Sequence, residues 1–404
     1  MIDPVEIATG RRDSLFAEDI SRKGEDIRAT FHERRVLVIG GAGSIGSATV
    51  RALLEYRPSA VHVIDQNENG LAELVRDLRG SGLVDLAVDL KLMPLDYGAS
   101  VSRRFISAAG PYDVVLHFAA LKHVRSEKDV AAILQMIDTN VLKQQRLMSW
   151  LGESTPPSHY FAVSTDKAAN PVSFMGASKR LMEHLIFAES LAPLDASVRT
   201  SARFANVAFS AGSLLASFPE RIQRRQPIAV PRSTRRFFVS VEEAAHICLL
   251  ACAAVPSGHI AIPRMQADEN LRELIPIAEG FLRSAGLRPV SYDDEASARA
   301  AVESDSANGG WPMLLTPRNT DGEKESEVFI GEGETPIEIG MSALLAIEQA
   351  AADRSSLRDV LSRLQSLVDD SSESITKREI AELVREVVPE FNPLESGVQL
   401  DSRM

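Results

Sequence analysis

Among 404 residues there are two cysteines and two tryptophans, and aromatic residues make up 5% of the chain. The cysteines, Cys248 and Cys252, stand four apart in a segment of helical period, which excludes a disulfide-stapled scaffold and reads as two small core residues. Long apolar runs are missing too. The longest, Ala244 to Pro256, is interrupted by His246 and is too short to span a bilayer, and no apolar stretch follows the basic pair Arg11 and Arg12. Positive charge is the minority: 44 Lys and Arg stand against 56 Asp and Glu, a formal charge of -12. No basic stripe offsets that balance, so nucleic acid and anionic membrane surfaces are excluded as partners. Together these absences point to a cytoplasmic, unanchored chain. What is plentiful is apolar and charged residue, 45% and 25%, over a length that suits two to three domains or one large domain with extensions.

The pattern changes along the chain. Residues 1–34 are charged and weakly periodic, as expected of a surface arm or of a helix packing on a partner subunit. Then apolar runs (RRVLVIG, VHVID, YDVVLHFAA, HYFAVST) alternate with segments of helical period such as SATVRALLEYR. Strands alternating with helices predict βαβ units and a parallel sheet covered on both faces. The expected fold is α/β: a Rossmann-like doubly wound sheet over 35–202, a smaller α/β region interleaved with it over 203–345, and a helical tail over 346–404. Within the second region HIAIP reads as a strand, ENLRELIPIAEGFLRSAG as a helix, and Asp293 to Gly310 as a loop or frayed helix. The tail carries two amphipathic helices, one with Leu357, Leu361, Leu364 and Val368 on a face, the other with Ile380, Leu383, Val384 and Val387.

Gly40, Gly43 and Gly46 form G-x-x-G-x-x-G directly after the first strand and at the start of a helix. The first glycine allows a tight turn, the second lets backbone N–H groups approach a pyrophosphate, and the third permits close helix-to-strand packing. Ser44 and Ile45 then open the helix N-terminus that faces the phosphates. Asp65 lies 19 residues beyond Gly46, counting from the sequence, where a carboxylate takes ribose hydroxyls, and the next four residues supply no arginine for a 2′-phosphate. A dinucleotide site is expected, with NAD favoured over NADP. Asp96 is a candidate for the adenine amino group, against the alternative of a surface-loop aspartate, and Ala119, at the end of YDVVLHFAA, joins the candidate cofactor set.

A second polar block follows the strand HYFAV. Ser164, Thr165, Asp166 and Lys167 emerge at its C-terminal end, where doubly wound folds place their chemistry. Pro171 breaks the chain before a helix on which Met175 and Lys179, four apart, share a face. Lys122 and His123 follow another strand end and are placed to face a sugar or a diphosphate, unless they form a plain surface pair.

These pieces resemble the extended short-chain dehydrogenase/reductase superfamily, and within it the polysaccharide-biosynthesis nucleotide-sugar 4,6-dehydratases. The matching segments are GGAGSIG, FAALKHV at 118–124, STDKAANPVSFMGASKR at 164–180, RFANV at 203–207, TRRFF at 234–238, GEKE at 322–325 and VREVVPEFNP near the C-terminus. The resemblance implies an NAD-dependent enzyme acting on a nucleotide sugar, UDP-N-acetylglucosamine being the leading candidate, to make a 4-keto-6-deoxy sugar for a surface glycan. Oxidation at C4 makes the C5 proton acidic, water is lost across C5 and C6, and the hydride returns to C6. The cycle is redox-neutral but needs a base at C5 and an acid at the C6 hydroxyl. The family assigns these to Lys167 and Asp166, gives Lys179 the nicotinamide ribose and Thr165 the C4 hydroxyl, and places Asn206, Arg236 and Glu323 on the diphosphate or nucleoside, with Arg203 and Arg235 as structural alternatives. Its helix pairs, with the tail helices, imply a homo-oligomer. No metal site is expected. The chain departs from the family where most members carry Tyr in place of Met175. A thioether is no proton acceptor, so Asp166, Thr165 with a water, or the lysine must take the C4 hydroxyl proton. Thr320 and Asp321 also replace the usual Arg-Pro before Gly-Glu-Lys. A 4-epimerase or C4 oxidoreductase on the same scaffold, and a non-catalytic dinucleotide-binding protein, are the rival readings.

Overall fold

The computed structural model describes residues 3–83, 88–122, 127, 129–188, 194, 197–317, 328–349, 353–370 and 375–393. Six strands follow the alternation read from the sequence: β1 (Arg35–Ile39), β2 (Ala60–Asp65), β3 (Asp89–Pro94), β4 (Val114–His117), β5 (His159–Val163) and β6 (Val198–Ala202). They pair in the order β3-β2-β1-β4-β5-β6, all parallel, and the sheet continues through His259–Pro263, Leu344–Glu348 and Pro336–Glu338 to nine strands. Only Leu344–Glu348 runs against the rest. The order reverses between β1 and β4, and such a switch point opens a crevice at the carboxyl ends of the strands.

Side chains of β1 show why these runs are apolar throughout. Leu37 and Ile39 enter the core on one face, Val36 and Val38 the core on the other, as a strand covered on both sides requires. One face is covered by Ser44–Leu54 and Val241–Ala254. The other is covered by Phe174–Phe187 and by Val130–Ile137, which continues through a wide π turn, Asp138–Leu142, into Lys143–Gly152. Cys248 and Cys252 sit buried and unbridged in Val241–Ala254.

The region after residue 203 threads back into the main sheet through His259–Pro263, Pro336–Glu338 and Leu344–Glu348, and otherwise builds two three-stranded sheets. Leu271–Glu273 pairs antiparallel with Arg235–Phe237, so the single helix expected from Glu269 onward is split into Ala267–Asn270 and Leu274–Ser284. The stretch expected as loop or frayed helix holds two short helices, Glu295–Ala300 and Val302–Ala307.

Residues 3–34 and the described part of the tail pack on the body of the chain. The former, read as a surface arm or a partner-packing helix, form three short helices, and Phe16, just ahead of the second, and Ile27 and Phe31, in the third, are fully buried. Arg11 pairs with Glu243 at 2.8 Å, and Asp19 accepts from the backbone N–H groups of Ser342 and Ala343 at 2.7 Å. The tail helices Arg354–Asp369 and Lys377–Arg385 bury Leu357, Val360, Leu361, Leu364, Ile380, Leu383 and Val384 in the same core as Phe174–Phe187. Their apolar stripes are thus spent inside the chain and give no ground for a second copy. No helix among the described residues is long and apolar enough to cross a membrane.

Candidate active site

The carboxyl ends of β1, β4 and β5 open on a cleft of about 880 Å³. Every candidate cofactor residue lines it: Gly40, Gly43, Ser44, Ile45, Gly46, Asp65, Asp96, Ala119 and Lys179. At Gly46 a Cβ would lie 2.3 Å from the carbonyl oxygen of Gly40, so only glycine lets the helix start this close to the strand. At Gly43 the nearest atom to a Cβ would be 3.6 Å away, which leaves the backbone open toward the cleft. Asp65 accepts from the N–H groups of Ala42 and Asn67 at 2.9 Å, one on each carboxylate oxygen, and retains acceptor capacity for vicinal hydroxyls. A glycine cradle, a helix N-terminus and a carboxylate at the next strand end fit a dinucleotide. Asp96 also faces the cleft, but its carboxylate is bound by Lys143 at 2.5 Å and by the Gly98 N–H at 2.9 Å. Burial opposes its ionisation and is outweighed by Lys143 and the Gly98 N–H, so its pKa falls.

Across the cleft, Thr165, Asp166 and Lys167 form one hydrogen-bonded set on a 3₁₀ turn. Thr165 Oγ1 donates to Asp166 Oδ1 at 2.7 Å, and Lys167 Nζ lies 3.2 and 3.3 Å from the two carboxylate oxygens. Asp166 is buried and Lys167 half-buried, with its amine at the cleft wall. Met175 and Lys179 share the inward face of Phe174–Phe187, as their spacing predicts. Lys179 Nζ donates to the Val163 carbonyl at 2.9 Å, and burial lowers its pKa to about 8 against the pull of Glu183. The described lining holds four lysines (122, 143, 167, 179), three aspartates (65, 96, 166) and no arginine.

On the substrate side, Lys122 and Asn206 line the cleft. Lys122 Nζ donates to the Ala211 carbonyl at 3.0 Å, while the Ala211 N–H donates to Ser44 Oγ at 2.9 Å, so the strap around Ala211 ties the two walls together. Arg236 stands on the strand Arg235–Val239, paired with Leu271–Glu273, and is not among the lining residues. His123 and Glu323 lie outside the described residues.

Behind the site lies a layer of which the sequence reading names Ser164 and, as a structural residue, Arg203, but not the carboxylates they hold. Ser164 Oγ donates to Glu183 at 2.6 Å, and Arg203, fully buried, clasps Glu183 with two bonds of 2.7 Å and Glu334 with bonds of 2.6 and 2.9 Å. Arg180 adds Glu183, Glu334, Gln349 and Glu390. Burial would raise the carboxyl of Glu183, but Arg203 and Arg180 hold it below its usual value. The helical spacing of Lys179 and Glu183 was a signal for one member. Glu127, whose two oxygens accept from the N–H groups of Phe174 and Met175 at 2.9 Å, had none.

Residues 36–296 match the family described as polysaccharide biosynthesis protein. The chain belongs to that family. It is 32% identical, over 66% of its own length and 77% of the relative's, to an uncharacterized membrane protein of Methanocaldococcus jannaschii. It is 28% identical to an inverting UDP-N-acetylglucosamine 4,6-dehydratase of Campylobacter jejuni, over 58% of this chain and 68% of that one. Among solved structures, Pen from Bacillus thuringiensis shares the fold with a TM-score of 0.62 at 22% identity, covering 83% of this chain and 98% of the other. Further relatives include UDP-glucose 4-epimerases. Two others, from Bacillus subtilis and Staphylococcus aureus, are longer: the chain spans 44% and 41% of their lengths. In the fold shared with Pen, the glycine loop, the strand-end polar block and the helix carrying Met175 and Lys179 meet around one cleft.

Proposed function

We propose that the protein is an NAD-dependent nucleotide-sugar 4,6-dehydratase that converts UDP-N-acetylglucosamine to a UDP-4-keto-6-deoxy-hexosamine for glycan synthesis. The observation that carries this reading is the Thr165–Asp166–Lys167 set, three proton-handling groups bonded to one another on the wall of the cleft. NAD, when bound, supplies the acceptor and donor of the hydride. The chain's residues supply the rest. Lys179 donates to the nicotinamide ribose, and Asp65 accepts from the adenosine ribose.

Proton movement follows from the pair. With Lys167 as ammonium and Asp166 as carboxylate the two hold an ion pair, which is the wrong state for a base and an acid. Thr165 resolves this: it passes its proton to Asp166 Oδ1 and takes the C4 hydroxyl proton in return, the work that Met175 cannot do. Asp166 is then the acid for the C6 hydroxyl. Lys167, half-exposed at the cleft wall, releases its ammonium proton to solvent and then takes the C5 proton as the base. A C4 epimerisation would need neither member of this pair. Relatives named as epimerases make it the rival to test.

The deciding experiment incubates purified protein with UDP-, dTDP- and GDP-sugars, UDP-N-acetylglucosamine first, and reads products by mass spectrometry and NMR. Loss of one water is the expected result, abolished in Lys167→Ala with NAD still bound. An unchanged mass with inverted C4 overturns the dehydratase in favour of the epimerase, and no turnover of any sugar favours a dinucleotide-binding protein.

A further inference from the structure

The C-terminal segment reaches the chemistry-bearing block at four points. Lys377 Nζ donates to the backbone carbonyl of Glu127 at 2.6 Å, and Glu127 in turn accepts from the N–H groups of Phe174 and Met175. Glu390 accepts from Arg180 Nε at 2.8 Å. Phe391, 1% exposed, meets the ring of Phe174 edge-on at 5.2 Å. The Asn392 N–H donates to the Pro171 carbonyl at 3.0 Å. All four land on residues 171–180 or on the backbone of Glu127, the residue whose carboxylate caps them.

That stretch is the joint between the Thr165–Lys167 turn and the helix carrying Met175 and Lys179. The first N–H groups of a helix have no partner within it. Here two of them are taken by Glu127, a carboxylate well placed for the helix dipole, and Glu127 is steadied by the tail. A cover for apolar surface needs Leu357, Leu361 and Ile380. It does not need polar contacts converging on one joint.

We propose that residues 375–393 are the positioning element of the active site, holding the start of Phe174–Phe187, and with it Met175, Lys179 and the Thr165–Lys167 turn, in register with the cleft. The activity arm of the test rests on the dehydratase reading; the exchange arm does not.

The test uses the full chain carrying Lys377→Met and Glu390→Gln together, which leaves every buried apolar residue of the tail in place. Turnover is expected to fall about tenfold to a hundredfold with KM within about twofold, as for a misplaced catalytic group. Amide exchange at Phe174 and Met175 is expected to quicken, and Lys377→Arg with Glu390→Asp to recover part of both. Unchanged exchange at those amides, or turnover falling only in proportion to the folded fraction, overturns the proposal. A wild-type chain that dehydrates no sugar overturns the dehydratase reading alone, and the exchange measurement still decides the role of the tail.

Discussion

Gly176 stands where the helix carrying Met175 and Lys179 crosses the back of the Thr165–Lys167 turn. A Cβ there would come to 2.3 Å from the Lys167 carbonyl oxygen and 3.3 Å from the Pro171 Cβ, so Gly176→Ala must push the turn and the helix apart. The expected cost in stability is that of overpacking, about 1–3 kcal/mol. Turnover should drop further than stability explains, about tenfold to a hundredfold, because the displaced atoms belong to the proton-handling set. Steady-state rates beside a urea midpoint separate the two effects. Lys179 makes a second prediction. Burial lowers its pKa from 10.5 to about 8, so the folded state pays for its charge below about 8 and is relieved of that cost as pH rises toward 10.5. In the proposed role its ammonium is the form that donates to the ribose hydroxyls. NAD affinity should therefore fall with a midpoint at or above pH 8, by up to about tenfold, the difference between charged and neutral donors. Fluorescence titrations across pH check this, and Lys179→Met should bind NAD more weakly with that titration gone.

At the scale of elements, what was legible in the sequence is what periodicity and strand ends encode. β1, β4 and β5 appear as apolar runs because both sheet faces are covered, and the residues after them fall at the cleft because parallel strands deliver their carboxyl ends to one edge. Met175 and Lys179 fall on one face by helical spacing alone. The misses have equally physical causes. Leu271–Glu273 looks helical by composition, yet its backbone is captured by Arg235–Phe237, a pairing with no local signature. The three N-terminal helices are six to eight residues long, too short to show a period, and their docking hangs on Phe16, Ile27, Phe31 and the Arg11–Glu243 pair. The π turn Asp138–Leu142 shifts the helix face so that Asn140 reaches the backbone of Leu121 at 2.8 and 3.0 Å and Ser178 at 2.9 Å. It thereby ties a strand-end loop to the helix Phe174–Phe187, a device common where helices serve a site.

Over the whole molecule, Arg203 joins parts that the chain order keeps far apart. It follows the end of β6, grips Glu183 on the helix Phe174–Phe187 and Glu334 just ahead of the strand Pro336–Glu338, and through them meets Arg180 and the tail residue Glu390. Burial disfavours ionised Glu334, and Arg203 and Arg180 overcome that and hold it at about 2, against 4.5 for a free carboxyl. A carboxyl lowered in the folded state contributes stability that is complete above about 4.5 and is lost as pH falls toward 2. Arg203→Met removes the partner of two buried carboxylates and should cost about 3–5 kcal/mol at pH 7. The penalty should shrink below pH 4.5, as protonation of Glu334 and Glu183 removes the charges that Arg203 neutralises. Urea unfolding of both proteins from pH 7 to pH 2.5 tests this: two curves that converge on acidification identify Arg203 as the charge partner of this junction, whereas a constant gap would mean that the arginine stabilises through packing of its stem.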